Sequence, residues 1–262
     1  MTEAAAPGES VAAARASGPD AGDSRPELSI VLPVYNEGDH VVPVLRALEA
    51  ALRTSHETLV VYDFEADTTV PPVLALASEL PALHLHRNDL GRGVLNAMKS
   101  GMAAARGRYV LVTMGDGSDN PQDIEPMLRL AARGADVVAA SRYMRGGRQV
   151  GGPRLKRTLS RLAGLSLHWF GGVPIHDPTS NFKLYSRSFL ASVVIESEAG
   201  FELALELSVK AAVARRPMAE VPTTWRDRTT GESRFRLGAW LPHYLRWYRY
   251  AFRKRAGRSR SV

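Results

Sequence analysis

The chain has 262 residues, 45% of them apolar, and no cysteine, which supports one domain with a sizeable core and excludes disulfides and Cys-ligated metal sites. Its formal net charge of +7 is a property of the end: Arg234, Arg236, Arg246, Arg249, Arg253, Lys254, Arg255, Arg258 and Arg260 all follow Glu232, the last acidic residue. Those nine outnumber the net charge, so the preceding chain is slightly acidic, which excludes a nucleic-acid groove binder and suits a basic tail for anionic membrane or phosphate.

Residues 1–26 are rich in Ala, Gly, Pro, Ser and Asp, bury too little to order themselves, and carry no signal-peptide pattern. From Leu28 the pattern alternates. Leu28–Val34 reads as a buried strand closed by a turn at Asn36, and Asp39–Arg53 as a helix with Val41, Val42, Leu45, Leu48 and Leu52 at helical spacing. Thr58–Tyr62 is a second strand, Val70–Glu79 a helix led by prolines, and Ala82–His86 a third strand. Val94–Ala105 is a helix after a glycine-flanked loop, Tyr109–Met114 a fourth strand, Gln122–Ala132 a helix after Asn120-Pro121, and Asp136–Ala140 a fifth strand. Beyond residue 150 the pattern loosens. Pro153–Trp169, Phe201–Ala214 and Leu237–Phe252 read as helices, and Phe182–Tyr185 and Met218–Thr223 as strands. The longest uncharged run, Leu162–His176, is too short to span a bilayer and holds Gly, Pro and His.

This alternation predicts an α/β fold: a mainly parallel sheet with helices on both faces and its ligand beyond the carboxyl ends of the strands. Tyr35-Asn36-Glu37, Asp63, Asp67, Asp116 and Asp119 collect at those ends. Carboxylates crowded on one rim call for a cation or a donor-rich ligand.

Each candidate has a plainer reading. Asp63 can accept an N–H from a base edge, or cap a turn. Asp116 and Asp119, three apart in a glycine-containing loop, can ligate Mg²⁺ or Mn²⁺ together with phosphate oxygens. They can equally form an Asx-turn before Pro121, with Asp119 or Asn120 as N-cap. Gly91-Arg92-Gly93 before a helix can bring amides to a phosphate, or let Arg92 face water. Trp225 to Arg234, with Arg228, Ser233 and Arg234, can cradle a phosphate monoester or be a solvated loop. On the last helix Leu237, Leu241, Tyr244, Leu245, Tyr248 and Phe252 share a face flanked by Trp240 and Trp247. Arg246, Arg249 and Arg253 lie off it. That suits a lipid interface, or a helix packed on the body.

Taken together, the segments from Leu28 to Phe235 resemble family 2 glycosyltransferases with the GT-A fold, within them the dolichol-phosphate mannose synthases. The resemblance rests on Ile30-Val31-Leu32-Pro33-Val34-Tyr35-Asn36-Glu37, on Val60-Val61-Tyr62-Asp63 with Asp67-Thr68-Thr69, and on Gly91-Arg92-Gly93. It continues in Ser141-Arg142-Tyr143 with Gly146-Gly147, in Asp177-Pro178-Thr179-Ser180-Asn181-Phe182, and in Asp227-Arg228 with Gly231-Glu232-Ser233-Arg234. It implies a GT-A domain over 27–235, between a leader (1–26) that composition predicts to be disordered and a basic amphipathic C-terminal helix and tail (236–262).

What the resemblance implies can be placed on residues. Pro33, Tyr35, Glu37, Asp63, Asp67 and Arg92 would serve the nucleotide-sugar donor. Arg142, Lys156, Arg157, Arg228, Ser233 and Arg234 would bind the acceptor phosphate. Asp116 and Asp119 would hold Mg²⁺ or Mn²⁺, and with Arg228 and Arg234 would carry catalysis. The expected reaction is inverting transfer of mannose or glucose, with GDP-mannose among the donors, to a polyprenyl phosphate. The expected location is cytoplasmic, peripheral on the inner face of the membrane through the C-terminal helix. One departure stands out. The family's Asp-x-Asp positions fall on Gly115 and Gly117, with Asp116 between them. A soluble saccharide or metabolite acceptor is the nearest alternative, and a non-catalytic nucleotide-sugar or membrane-binding protein the alternative of another class.

Overall fold

The computed structural model describes residues 25–227 and 237–259. The leader to residue 24 and the loop holding Arg228, Ser233 and Arg234 lie outside them. Among the described residues nine strands are present: β1 (Leu28–Pro33), β2 (His56–Tyr62), β3 (Leu83–Arg87), β4 (Tyr109–Val112), β5 (Val137–Ser141), β6 (Arg148–Val150), β7 (Lys183–Ser186), β8 (Met218–Pro222) and β9 (Thr224–Arg226). The helices are α1 (Val41–Ala51), α2 (Val70–Ala77), α3 (Val94–Ala104), α4 (Ile124–Ala132), α5 (Arg154–Ser166), α6 (Arg187–Ser192), α7 (Leu203–Val213) and α8 (Leu237–Ser259).

Seven strands form one sheet in the order β3-β2-β1-β4-β7-β5-β8. β1 lies inside the sheet and is wholly buried, as its apolar run, broken only by Ser29, requires. It pairs parallel with β2 and with β4. β7 runs antiparallel to both β4 and β5, so the sheet is mixed on that side. The chain leaves β5, makes β6 and α5, and returns in the opposite direction. The rim that receives the ends of β1, β2, β4 and β5 therefore also receives the start of β7.

Helices cover both faces. Leu45 and Leu48 of α1, Val73 and Leu76 of α2, and Ile124, Met127, Leu128 and Ala131 of α4 meet Leu28, Ile30 and Leu32 on one face. The 124, 127, 128, 131 spacing is the i, i+3, i+4, i+7 stripe of a helix buried on one side. On the other face Leu95 and Met98 of α3 and Leu203 and Leu207 of α7 meet Val31, Val61 and Val110. α2 starts with prolines in its first turn, where no intrahelical N–H is needed. α6 is capped by Ser186, whose Oγ accepts from the Phe189 amide at 3.1 Å.

A third cluster joins α7, α8 and a π-helical turn, Leu167–Gly171, that ends α5. Trp247 and Ala251 of α8 are almost fully buried in it, against Leu167, Val173, Ile175, Leu205 and Val209. The sequence places Trp247 at the flank of the apolar face, but the structure makes it the anchor. Leu241 and Leu245, expected on that face, are 47% and 38% exposed. α8 packs on the body through its aromatic side. No helix among the described residues is long and apolar enough to cross a membrane.

Candidate functional site

A cleft of about 1040 Å³ opens at the rim where β1, β2, β4 and β5 end. Pro33, Tyr35 and Glu37 enter it from the β1 end, Asp63 from β2, Arg92 from the loop before α3, Asp116 and Asp119 from the β4 end, and Arg142 from β5. Eight of the residues singled out from sequence thus line one space. Asp67 and Arg157 do not line it, the Lys156 side chain lies outside the described set, and so do Arg228, Ser233 and Arg234.

Asp67 sits behind the wall and builds it. Its buried carboxylate accepts from the Asn36 amide at 3.0 and 3.1 Å and from the Thr69 amide at 2.8 Å. The Glu37 amide donates to Thr69 Oγ1 at 2.9 Å, and the Thr68 amide to Asn36 Oδ1 at 3.1 Å. Asn36 takes a positive φ of 54°, which Asn tolerates better than most residues. The turns after β1 and β2 are therefore locked together by carboxylate-to-amide bonds, which are stronger than neutral ones.

Asp63 braces the next loop. It accepts from Asn88 Nδ2 at 2.7 Å and from the Gly93 amide at 2.8 Å. Phe64, unremarked in the sequence, lies between two cleft residues: the Tyr35 ring meets its edge at 5.6 Å and the Arg92 guanidinium sits 4.9 Å from its centroid. The lower wall is thus fixed before any ligand arrives.

The loop after β4 resolves the glycine departure. A Cβ on Gly115 would meet Leu32 Cδ2 and Val34 Cγ1, both at 3.2 Å, so its side-chain direction is toward the core. Gly117 has φ +70°, a conformation strained for residues with side chains. Asp116 and Asp119 are the pair that reaches the cleft. Asp116 accepts from the Ser118 amide at 3.0 Å, an Asx-turn as the plainer reading expects. Neither Asp119 nor Asn120 makes a capping bond: Asn120 holds the N-cap position, but its side chain donates to Asp123 Oδ1 at 3.1 Å and accepts from no backbone amide of the turn. Asp119 Oδ2 instead accepts from Thr113 Oγ1 at 2.9 Å and from the Met114 amide at 3.3 Å.

Burial pushes the Asp119 carboxyl up to about 7, and the nearby charge of Asp116 adds to it. Among the described residues neither carboxylate forms an ion pair. Two close, half-buried carboxylates without an ion-pair partner among the described residues fit a hard divalent cation. No group of three or more acidic, His or Cys side chains among the described residues could hold one alone, so diphosphate oxygens would have to complete the shell.

Across the cleft stands Arg142. Its Nε donates to Asp177 Oδ2 at 2.7 Å and its Nη2 to Asp177 Oδ1 at 2.9 Å, a bidentate fork reinforced by the Arg142 amide at 3.2 Å. Burial opposes the arginine's charge, but Asp177 more than offsets it and holds the guanidinium ionised. Arg142 also lies 4.9 Å from the Tyr143 ring centroid and donates to Thr179 Oγ1 at 3.3 Å. Lys183, wholly buried on β7, donates to the carbonyls of Asp177 and Ser180, and burial pushes its ammonium down to about 7. The sequence motif contains Asp177 but gives it no role. Only the fold reveals it as the partner of a residue 35 positions away.

The cleft is also lined by apolar side chains, Leu159 and Ala163 of α5, Phe201, and Leu241 and Tyr244 of α8, of which Leu159 and Leu241 are exposed. One compartment therefore holds carboxylates, a fixed guanidinium and an apolar stretch that reaches the surface.

The mixed sheet with carboxylates and an arginine in one cleft at its strand ends is the arrangement that the resemblance to GT-A glycosyltransferases implies. The chain belongs to glycosyl transferase family 2, whose profile matches residues 29–194, and it is a glycosyltransferase. It is 32% identical over 216 residues to an undecaprenyl-phosphate mannosyltransferase of Micrococcus luteus, covering 79% of this chain and 87% of that one. It is 30% identical over 213 residues to a polyprenol monophosphomannose synthase of Mycolicibacterium smegmatis, covering 78% and 79%. Among solved structures it is similar in fold to the glucosyl-3-phosphoglycerate synthase of Mycobacterium tuberculosis in complex with Mn²⁺, UDP and glucosyl-3-phosphoglycerate. That match has a TM-score of 0.68 and 17% identity and covers 86% of this chain and 80% of that one.

Proposed function

We propose that this enzyme transfers a hexose, mannose in the first instance, from a nucleoside diphosphate sugar to a polyprenyl phosphate. The observation that carries the reading is the single cleft that Asp116 and Asp119, Arg142 and the apolar side chains of α5 and α8 line together. A diphosphate and a phosphate monoester repel unless cations stand between them. A lipid acceptor needs an apolar approach to the same place.

The acceptor phosphate oxygen attacks the anomeric carbon. The bond from that carbon to the diphosphate oxygen breaks, and the nucleoside diphosphate leaves with the electron pair, inverting the centre. The phosphate is already ionised at neutral pH, so no strong base is required. Arg142, held by Asp177, orients the acceptor phosphate, with Arg228 and Arg234 proposed beside it. Pro33, Tyr35, Glu37, Asp63 and Arg92 shape the donor wall, positioned through Asp67. Asp116 and Asp119 would hold Mg²⁺ or Mn²⁺, which supplies charge stabilisation to the departing diphosphate when bound. The protein's own contribution is to hold two anions in reacting geometry. The relatives named for undecaprenyl-phosphate and polyprenol support the acceptor class. The same reading puts the enzyme on the membrane surface at its cytoplasmic side.

Incubation with undecaprenyl phosphate, Mg²⁺ and labelled GDP-mannose or UDP-glucose tests this. Label in the lipid fraction is the expected result. Transfer only to water-soluble saccharides would overturn it, as would no transfer from either donor.

A further inference from the structure

We propose that α5 and the turn after it form the surface on which this protein lies against an anionic bilayer, with the apolar stretch of the cleft at the lipid; this rests on the polyprenyl-phosphate reading above. The largest exposed apolar side chains of this part of the molecule stand together there. Leu155 is 69% exposed, Leu162 60%, Trp169 62% and Phe170 63%. Leu155, Leu159 and Leu162 follow i, i+4, i+7 and form one stripe along the helix, which Trp169 and Phe170 extend past its end.

The helix carrying this stripe is not loosely held. A Cβ on Gly164 would come within 2.5 Å of the His176 carbonyl oxygen, so α5 lies directly on that segment. Leu167 is fully buried beneath it. One side of α5 is therefore clamped, and the clamp points the leucines outward.

Charge identifies the occupant. From Val137 to His176 there is no acidic residue, while Arg142, Arg145, Arg148, Arg154, Lys156, Arg157 and Arg161 all fall in that span. An apolar stripe on a helix that also carries Arg157 and Arg161 and no acidic residue, with an indole just past its end, has the composition of a helix lying in a headgroup layer. A second copy of the chain would set two acid-free faces against each other. The stripe also runs into the site: Leu159 lines the cleft together with Leu241 of α8. A lipid-borne phosphate could reach Arg142 without its chain leaving the bilayer. The main membrane contact thus belongs to α5, while the aromatic side of α8 is used on the body.

The test is flotation of the full chain with mixed phosphatidylcholine–phosphatidylglycerol vesicles and with phosphatidylcholine vesicles. The wild type is expected to bind the anionic vesicles and to be released by salt. Replacing Leu155, Leu162, Trp169 and Phe170 together by Ser is expected to weaken binding about tenfold or more, with turnover of a short, water-soluble prenyl phosphate unchanged. Arg161→Glu, which keeps the apolar stripe, is expected to weaken it about fivefold, and it decides the matter if the fourfold variant does not fold. Wild-type binding by both variants would overturn the proposal. So would a wild-type dimer that the serine variant dissociates while still binding vesicles. Failure of the wild type to use the short acceptor would count against the proposed function instead.

Discussion

The two walls of the cleft are built by different physics. On the side proposed for the donor, between β1 and α3, carboxylates fix loops by accepting backbone amides: Asp67 holds Asn36 and Thr69, and Asp63 holds Gly93 and the Asn88 side chain. On the side proposed for the acceptor, between β5 and β7, a buried ion pair does it, with Arg142 forked onto Asp177 over Lys183. Amide-to-carboxylate clamps are local and can be lost one at a time. A buried ion pair fails as a unit, because removing one partner leaves the other charge without compensation.

The largest expected effect tests that distinction. Asp177→Asn should cost ~3–5 kcal/mol of stability, read from the urea midpoint at constant slope. Replacing both partners with apolar residues, Arg142→Met with Asp177→Leu, should recover most of that stability while leaving transfer activity absent. A cost for Asp177→Asn below about 1 kcal/mol, the range of surface pairs, would erase the contrast between the walls.

Next in size is the loop after β4, between the two walls. Asp116→Ala should fold normally and lower kcat by ~10²–10³-fold, the usual loss when one group stabilising a developing charge is removed. Addition of Mn²⁺ should restore little. The loop path makes a second prediction: Gly115→Asp should not create a better metal site, since its side chain would be driven into Leu32 and Val34. A gain of activity in Gly115→Asp would mean the loop adopts another path.

A smaller effect is expected on the donor wall. Asp67→Ala strands two amides behind the cleft and should cost ~1–3 kcal/mol. Because Asp67 positions the Tyr35–Glu37 turn without lining the cleft, the donor KM should rise more than kcat falls. Equal losses in both would mean that Asp67 acts on the reacting centre.

The two walls also differ in how far the sequence discloses them. The donor wall is made of contiguous strand-and-turn segments, so Pro33, Tyr35, Glu37, Asp63 and Arg92 are readable as neighbours once parallel strands are inferred. The acceptor wall depends on β7 reversing direction to lie between β4 and β5, which brings Asp177 beneath Arg142. Nothing in the spacing of those two residues signals it. The strands β6 and β9 are three residues each and too polar to show alternation. In α8 apolar and aromatic residues occur nearly all round the helix. Periodicity therefore offers several faces, and the partner surface of α7 and the Leu167–Gly171 turn selects Trp247 and Ala251. Asp67 was legible as a rim carboxylate but not as a brace, because that depends on the height at which two adjacent turns meet.

The smallest expected effect joins function to stability at one side chain. Asp119 in the folded protein is pushed up to about 7 from the usual 3.8, by burial and then by Asp116. Between those values the folded state keeps a proton that the unfolded chain has released. Stability from this group is therefore lost as pH rises through that window, and the cost is complete above about 7. Asp119→Asn removes it. At pH 8 without divalent cation the variant should melt higher than wild type. Near pH 4 the difference should shrink toward zero. Mg²⁺ or Mn²⁺ with nucleoside diphosphate should raise the wild-type melting point at pH 8 and leave the variant almost unmoved. Equal shifts in both proteins would place the cation elsewhere and return the 116–119 loop to a purely structural role. A rise confined to the wild type would show the same carboxylate destabilising the empty cleft and holding its ligand.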